Sequence, residues 1–248
     1  ALPAMNHKLG LSPGAVVVDL GDIHRIFVFG GYDGKQVLDS CEYLDVGEDS
    51  KWVLVNAKMS CPRSGTAAAL IDGQTAIVCG GYDGSKYLAL CEVFDLATLT
   101  FSRGPDMLEP RANHAAVHYQ RSVVVIGGYD DDDLSSCEQL QQGADSWGPF
   151  PPINHARSLF GACAIDDKIF VAGGGVYEVE VFDGSSWSVV TQLPQYHSMN
   201  SLVALGGKLV VLGGTCEEVE VFDPATQAWT TLPKMVTSRR CFLASVYF

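Results

Sequence analysis

At 248 residues with 47% hydrophobic side chains, the chain has enough apolar material for a substantial core. Sixteen Lys and Arg against 29 Asp and Glu leave a formal net charge of −13 at pH 7, which argues against general nucleic-acid binding and against adhesion to anionic membranes. With no run of 18 apolar residues and no charged-then-apolar start, the sequence predicts neither a membrane span nor a signal peptide.

In chain order, the first apolar run is 15–19 (AVVVD). The second, 24–29 (HRIFVF), ends in Gly30-Gly31, and this arrangement recurs at 75–79 before Gly80-Gly81, 122–126 before Gly127-Gly128, 168–172 before Gly173-Gly174 and 208–212 before Gly213-Gly214. These runs are short, β-branched and bounded by turn residues, which predicts buried strands. The doublets lie 50, 47, 46 and 40 residues apart, a self-similarity that marks a repeat architecture. Each doublet leads to an alternating strand centred on a carboxylate (Glu42, Glu92, Glu138, Glu180, Glu220) and then to a large aromatic (Trp52, Phe101, Trp147, Trp187, Trp229). A loop ending in a basic residue follows (Arg63, Arg111, Arg157, His197, Arg239), and after the first four a stretch of small residues at 66–70, 114–117, 160–164 and 201–205.

One repeat is therefore four antiparallel strands, A to D, too small to bury both faces alone. Radial packing around an axis solves this, with small strand-A residues at the crowded centre and the strand-D aromatic in the wider outer gap. The expectation is an all-β propeller of five blades forming one domain over 1–248. Two segments compete for strand A of the first blade, 15–19 and the final CFLASVYF at 241–248. Closure by the C-terminal strand is the favoured reading, with a partial sixth blade as the alternative.

Eight cysteines occur, but Cys41, Cys91 and Cys137 share one repeat position and so fall on different blades. Buried free thiols and a reducing compartment follow, with a cytoplasmic or nuclear location. No Cys/His metal spacing appears, so no metal or cofactor is expected. His114 and His118 share a strand face without a third ligand and read as packing or hydrogen-bonding groups. The run Asp130, Asp131, Asp132 and Asp133 reads as a solvated acidic loop. A glutamate present in every repeat is not the lone carboxylate of a catalytic site, and no acid/base cluster converges, so no enzyme is expected.

The Gly-Gly doublets, the Glu-x-Φ-Asp strand, the Trp and the Met-x-x-Pro-Arg loop together resemble the kelch-repeat family. The stretches GGYDGKQVLDSCEYLD (30–45) and GGYDGSKYLALCEVFD (80–95) are similar to its kelch-like adaptor branch. Phe101 for Trp, Gln141 for the closing Asp and His197 for Arg depart from the pattern. From the residues alone, a repeated Arg either satisfies loop carbonyls or offers a donor fork to carboxylate or phosphate. The resemblance favours the second role for Arg63, Arg111 and Arg157, on a partner-binding face formed by the loops before strand A and between strands B and C. The B–C loops are unequal: Gly to Glu spans 12, 12 and 11 residues in repeats 1 to 3 but 7 and 7 in repeats 4 and 5. Tyr32, Tyr82 and Tyr129 sit in the long loops and either anchor a partner or brace the loop.

The expected site is thus Tyr32, Arg63, Ser64, Tyr82, Arg111, Asn113, Tyr129, Arg157, Ser158, His197 and Arg239, receiving an acidic or phosphorylated peptide segment. The resemblance further implies substrate recognition for a cullin-type ubiquitin ligase through a region outside this chain. The alternatives are an actin-binding scaffold and, last, a sugar-processing enzyme.

Overall fold

The computed structural model describes residues 5–6 and 12–236, and among them there are strands and no helix. Blade 1 is β1 (Gly14–Asp19), β2 (His24–Phe29), β3 (Cys41–Asp45) and β4 (Trp52–Leu54). Blade 2 is β5 (Ala67–Leu70), β6 (Thr75–Cys79), β7 (Cys91–Asp95) and β8 (Thr100–Arg103). Blade 3 is β9 (Ala115–Tyr119), β10 (Ser122–Ile126), β13 (Cys137–Gln141) and β14 (Gly148–Phe150). Its B–C loop holds a small hairpin, β11 (Tyr129–Asp130) and β12 (Asp132–Asp133). Blade 4 is β15 (Phe160–Ile165), β16 (Lys168–Gly173), β17 (Glu178–Phe182) and β18 (Trp187–Gln192). Blade 5 is β19 (Asn200–Leu205), β20 (Lys208–Gly213), β21 (Val219–Asp223) and β22 (Ala228–Leu232). Each sheet is antiparallel in strand order A-B-C-D, giving the expected five-bladed propeller.

The inner strands β1, β5, β9, β15 and β19 pack in succession. Their small residues are required by that closeness: a Cβ on Gly161 of β15 would collide with the Leu202 backbone of β19. The core is divided into layers between successive blades. One joins Val16, Phe27 and Phe29 to Ala68, Val78 and Phe94; the next joins Ile77, Cys79 and Cys91 to Val123, Val125 and Trp147. Layers centred on Val124, Phe160 and Val171, and on Phe170, Leu209 and Phe222, continue the series. The strand-D indoles bind backwards across these layers. Trp147 donates to the Pro105 carbonyl of the preceding blade at 2.9 Å, Trp187 to Pro151 at 2.8 Å, and Trp229 to the Thr191 hydroxyl at 3.1 Å. Phe101 has no such donor and packs instead in a ring cluster with Phe29 and Phe94, at 6.1 and 4.7 Å between centroids.

The two candidates for the first inner strand are resolved. β2 pairs with β1 along its whole length, so the 14–19 segment holds the position and the expected donation of 241–248 to blade 1 is corrected. The segment 241–248 and Arg239 lie outside the described residues.

At the loop end of the inner strands the blades are joined by a relay of main-chain hydrogen bonds. Gly65 donates to Ser12, Asn113 to Gly65, Leu159 to Asn113 and Met199 to Leu159, all at 2.7–2.9 Å. All five residues are left-handed, with φ from 53° to 64°. Only one is glycine, so the other four hold a conformation that is costly for L side chains in order to make the bond.

Candidate functional site

The repeated basic residues are the ones that the family resemblance places on the partner face. Arg63, Arg111, Arg157 and His197 are each 0% exposed. Arg63 Nη1 donates to the carbonyls of Gly80 (3.1 Å) and Leu90 (2.9 Å), and Nη2 donates to Glu92 Oε1 (2.7 Å). Arg111 repeats this with Gly127, Ser136 and Glu138, and Arg157 with Gly173, Glu178 and Glu180. The fixed guanidinium fork thus satisfies the carbonyl of the first glycine, a carbonyl at or just before the start of strand C, and the strand-C glutamate together. Meanwhile the Arg63, Arg111 and Arg157 carbonyls accept from Gly31, Gly81 and Gly128 of the preceding blade. One residue locks its own blade by its side chain and the neighbouring blade by its backbone.

The strand-C glutamates are buried and paired. Glu92 accepts from the Ser60 amide, Glu138 from Leu108 and Glu109, and Glu180 from Asn154 and His155. Burial alone would raise the Glu180 carboxyl, yet it is held below the usual carboxylate range because the Asn154 amide, the Arg157 charge and further N–H donors outweigh burial. The expected partner-facing role of these four basic side chains is therefore corrected: they are enclosed and already paired. His114 is likewise interior and neutral, its basicity held well down by burial and the Arg111 charge. His118 Nδ1 lies 2.9 Å from the Leu70 carbonyl of blade 2. Among the described residues no group of three His, Cys, Asp or Glu could hold a metal ion. Seven cysteines there are free thiols, five of them buried, as expected.

In front of the buried basic residues the long B–C loops of blades 1 to 3 converge. Tyr32, Ser64, Tyr82 and Asn113, all expected site residues, line a cavity of about 260 Å³ together with Ser12, Gly65, Tyr87 and Ala112. Tyr82 and Ser64 exchange backbone hydrogen bonds at 2.7 and 3.0 Å, which ties the B–C loop to the lead-in of strand A; Ala112 and Tyr129 do the same in blade 3. The Tyr82 and Tyr87 rings meet at 5.2 Å, and Tyr87 meets Tyr129 edge-on at 5.7 Å, so one aromatic row spans blades 2 and 3. Tyr87 was not picked out from the sequence; its signal is the aromatic at the position where repeat 1 has Val37. Ser158 is half-buried in blade 4 and does not line this cavity.

The charge beside the row is acidic. Tyr129 and Asp130 pair with Asp133 and Asp132, with Asp131 left-handed at the tip (φ 65°), and the last three carboxylates are exposed. Burial, then the charges of Asp131 and Glu109, push the Asp130 carboxyl up. Asp33 and Asp83 cap their own loops, each accepting from two amides. A wider cleft of about 550 Å³ opens at the opposite end, between the A–B turns of blades 3 to 5, among His118, Tyr119, Asp166 and Leu205. Tyr119 is the one tyrosine, tryptophan or phenylalanine among its lining residues, so it has no comparable row of rings.

The comparisons with known proteins agree with this architecture. A family model described as the KLHDC2/KLHL20/DRC7 Kelch-repeats domain matches residues 12–174, and one described as the Kelch motif matches residues 197–236. Human Kelch-like protein 41 is 31% identical over 101 residues, 34% of this chain and 17% of that protein. Kelch repeat protein M-T8 of Myxoma virus (strain Lausanne) is 28% identical over 40% of this chain and 21% of its own length. Beta-scruin of Limulus polyphemus is 28% identical over 36% of this chain and 12% of its own length. The matched region is thus a minor part of each of these relatives. With the repeat unit, the blade sheets and the family match in agreement, the chain belongs to the kelch-repeat family of β-propellers.

Proposed function

We propose that this propeller is a protein-interaction module whose loop face, between blades 1 and 3, receives an extended segment of a partner protein. The observation that carries this reading is the row Tyr82–Tyr87–Tyr129 beside a cavity lined by Tyr32, Ser64 and Asn113. Half-buried tyrosines offer apolar area and a hydroxyl at small entropic cost, which suits them to anchor a segment. The acidic or phosphorylated ligand expected from the arginines has no open counter-charge here, because Arg63, Arg111 and Arg157 are enclosed with their glutamates. The outward charge of the long loops is acidic on balance, with Asp131, Asp132 and Asp133 exposed beside the row against exposed Lys35 and Lys86, so the segment that fits carries Lys or Arg, with a cation over a tyrosine face and its charge toward the hairpin.

Binding of basic and acidic peptide libraries to the wild type and to Tyr82→Ala/Tyr87→Ala tests this. Selection of basic peptides, weakened by salt and lost in the double variant without a change in melting, supports the reading. Selection of acidic peptides refutes the charge assignment. We place the module in the cytoplasm or nucleus, in keeping with its free thiols, as a substrate-recognition part of a cullin-type ubiquitin ligase. Capture of a cullin by the full-length protein tests that assignment; failure of capture counts against it. No observation here favours a filament scaffold, and co-sedimentation with actin would show one.

A further inference from the structure

Blade 2 differs from its neighbours at the rung where strands B and C meet the loop. Cys79, the last residue of β6, stands directly opposite Cys91, the first of β7. The same rung is Phe29 against Cys41 in blade 1 and Ile126 against Cys137 in blade 3. Among the described residues it is the one strand rung made of two cysteines. The Gly80 amide donates to the Leu90 carbonyl at 3.1 Å, which makes Cys79 and Cys91 a non-hydrogen-bonded pair of the ladder. Opposed residues of that kind stand about 4.5 Å apart at Cα, within the roughly 4.4–6.8 Å that disulfides span. Both side chains enter the layer shared with Val123, Val125 and Trp147, and the two thiols are hydrogen-bonded to each other. The adjoining Gly80 and Leu90 carbonyls are the ones held by Arg63. Beyond them, segment 80–90 is the loop that carries Tyr82 and Tyr87.

We propose that Cys79 and Cys91 are a redox staple: a dithiol that hydrogen peroxide converts to a disulfide across the base of the blade 2 B–C loop, tethering strands B and C where the tyrosine row begins. One sulfur attacks a peroxide oxygen; the S–O bond forms, the O–O bond breaks, and the thiol proton leaves with the departing oxygen as water. The second thiol attacks the resulting sulfenic sulfur; the S–S bond forms, the S–O bond breaks, and a second water leaves. The net change turns two thiols and one peroxide into one disulfide and two waters. Both residues are enclosed, and burial, then the hydrogen bond with Cys91, hold the Cys79 thiol well above its ordinary value. The pair is therefore slow to react until blade 2 opens locally. Once made, the bond opposes that same opening, because it removes conformations from the opened strands. Cys163 is an internal contrast: it is equally buried but faces Phe170 across its rung and has no second sulfur there. The value of a tethered loop to a bound segment rests on the function proposed above; formation of the disulfide does not.

The test incubates the intact protein with hydrogen peroxide, alone and in urea kept below the unfolding midpoint so that local opening is more frequent. Remaining thiols are blocked with N-ethylmaleimide after full denaturation, and linkage is read by peptide-resolved mass spectrometry. A 79–91 crosslink that dithiothreitol reverses is expected, forming faster in the urea arm, with Cys163 still a free thiol. Amide exchange over 80–90 should slow about 10-fold or more in the linked protein. Cys79→Ala, which copies the Ala172 that blade 4 carries just before its first glycine, should lose both effects. If that variant unfolds, linkage and exchange in the wild type decide. Dissociation of a basic peptide should also slow in the linked protein; slowed exchange with unchanged dissociation keeps the staple and removes this loop from the partner face. A pair that stays reduced in both arms while Cys61 and Cys216 are oxidised overturns the proposal, as does a crosslink that leaves exchange unchanged.

Discussion

Arg157→Ala separates a structural lock from a partner contact most sharply. The side chain makes four charge-assisted bonds, to His155 O (3.3 Å), Gly173 O (3.2 Å), Glu178 O (3.0 Å) and Glu180 Oε1 (2.7 Å), with no exposure to water. Each such bond is worth about 1.5–3 kcal/mol. Removing one partner of a buried pair costs about 3–5 kcal/mol, because the remaining charge stays buried. Glu180 keeps its bonds from Asn154 and His155 after the truncation, which holds the loss within that range rather than at the sum of four bonds. The expected loss of about 3–5 kcal/mol corresponds to about 6–20 °C in Tm for a chain of this size. Urea titration gives the free energy from the midpoint at constant slope. Adding Glu180→Leu removes the orphaned charge but leaves the His155, Gly173 and Glu178 carbonyls without the Arg157 donor and the Asn154 and His155 amides without their acceptor, so the double variant should stay about 1–3 kcal/mol below wild type. A single-variant loss under about 1 kcal/mol, or full recovery in the double variant, would falsify the lock.

Other outcomes follow from the same geometry. Gly127→Ala places a methyl 2.7 Å from the Arg157 carbonyl on a backbone at φ 54°, and should cost more than about 2 kcal/mol by thermal melt, where a tolerated substitution would shift it little. Trp147→Phe keeps most of the ring but loses the donor to Pro105; about 1 kcal/mol is expected, and a neutral result would mean that packing alone holds the gap. Because the Glu180 carboxyl is depressed in the fold, its contribution is complete above the ordinary glutamate value of 4.5 and is lost as pH falls through the lower folded value. Glu180→Gln should therefore lower stability at pH 7 and do so progressively less below pH 4; a pH-independent difference in urea midpoints would exclude this linkage.

The repeat unit, the strand pairing and the inner small residues were legible because each rests on local periodicity. The direction of an arginine was not. A basic residue at one repeat phase is the same letter whether it points outward or into the blade. The discriminating signal was its companion, since Arg63, Arg111 and Arg157 recur in step with Glu92, Glu138 and Glu180, a pairing pattern that depends on the fold for its meaning. Tyr32, Ser64, Tyr82 and Asn113 could be found because loop length and aromatic content point to one sector. Tyr87 could not, because its role comes from a ring-to-ring contact across blades. The inner strand of blade 1 was ambiguous for a different reason: two segments of equal apolar character suited one slot, and only β-pairing distinguishes them.

The left-handed relay through Ser12, Gly65, Asn113, Leu159 and Met199 gives the array a polarity. Every bond runs from the amide of a later blade to the carbonyl of an earlier one. For this relay, a blade emerging from synthesis therefore finds its acceptor already in place, whereas the bonds from Gly31, Gly81 and Gly128 wait for the arginine carbonyl of the blade that follows. The same asymmetry makes blade number easy to change: a duplicated repeat brings its own donor and acceptor and can be spliced into the relay without altering either neighbour.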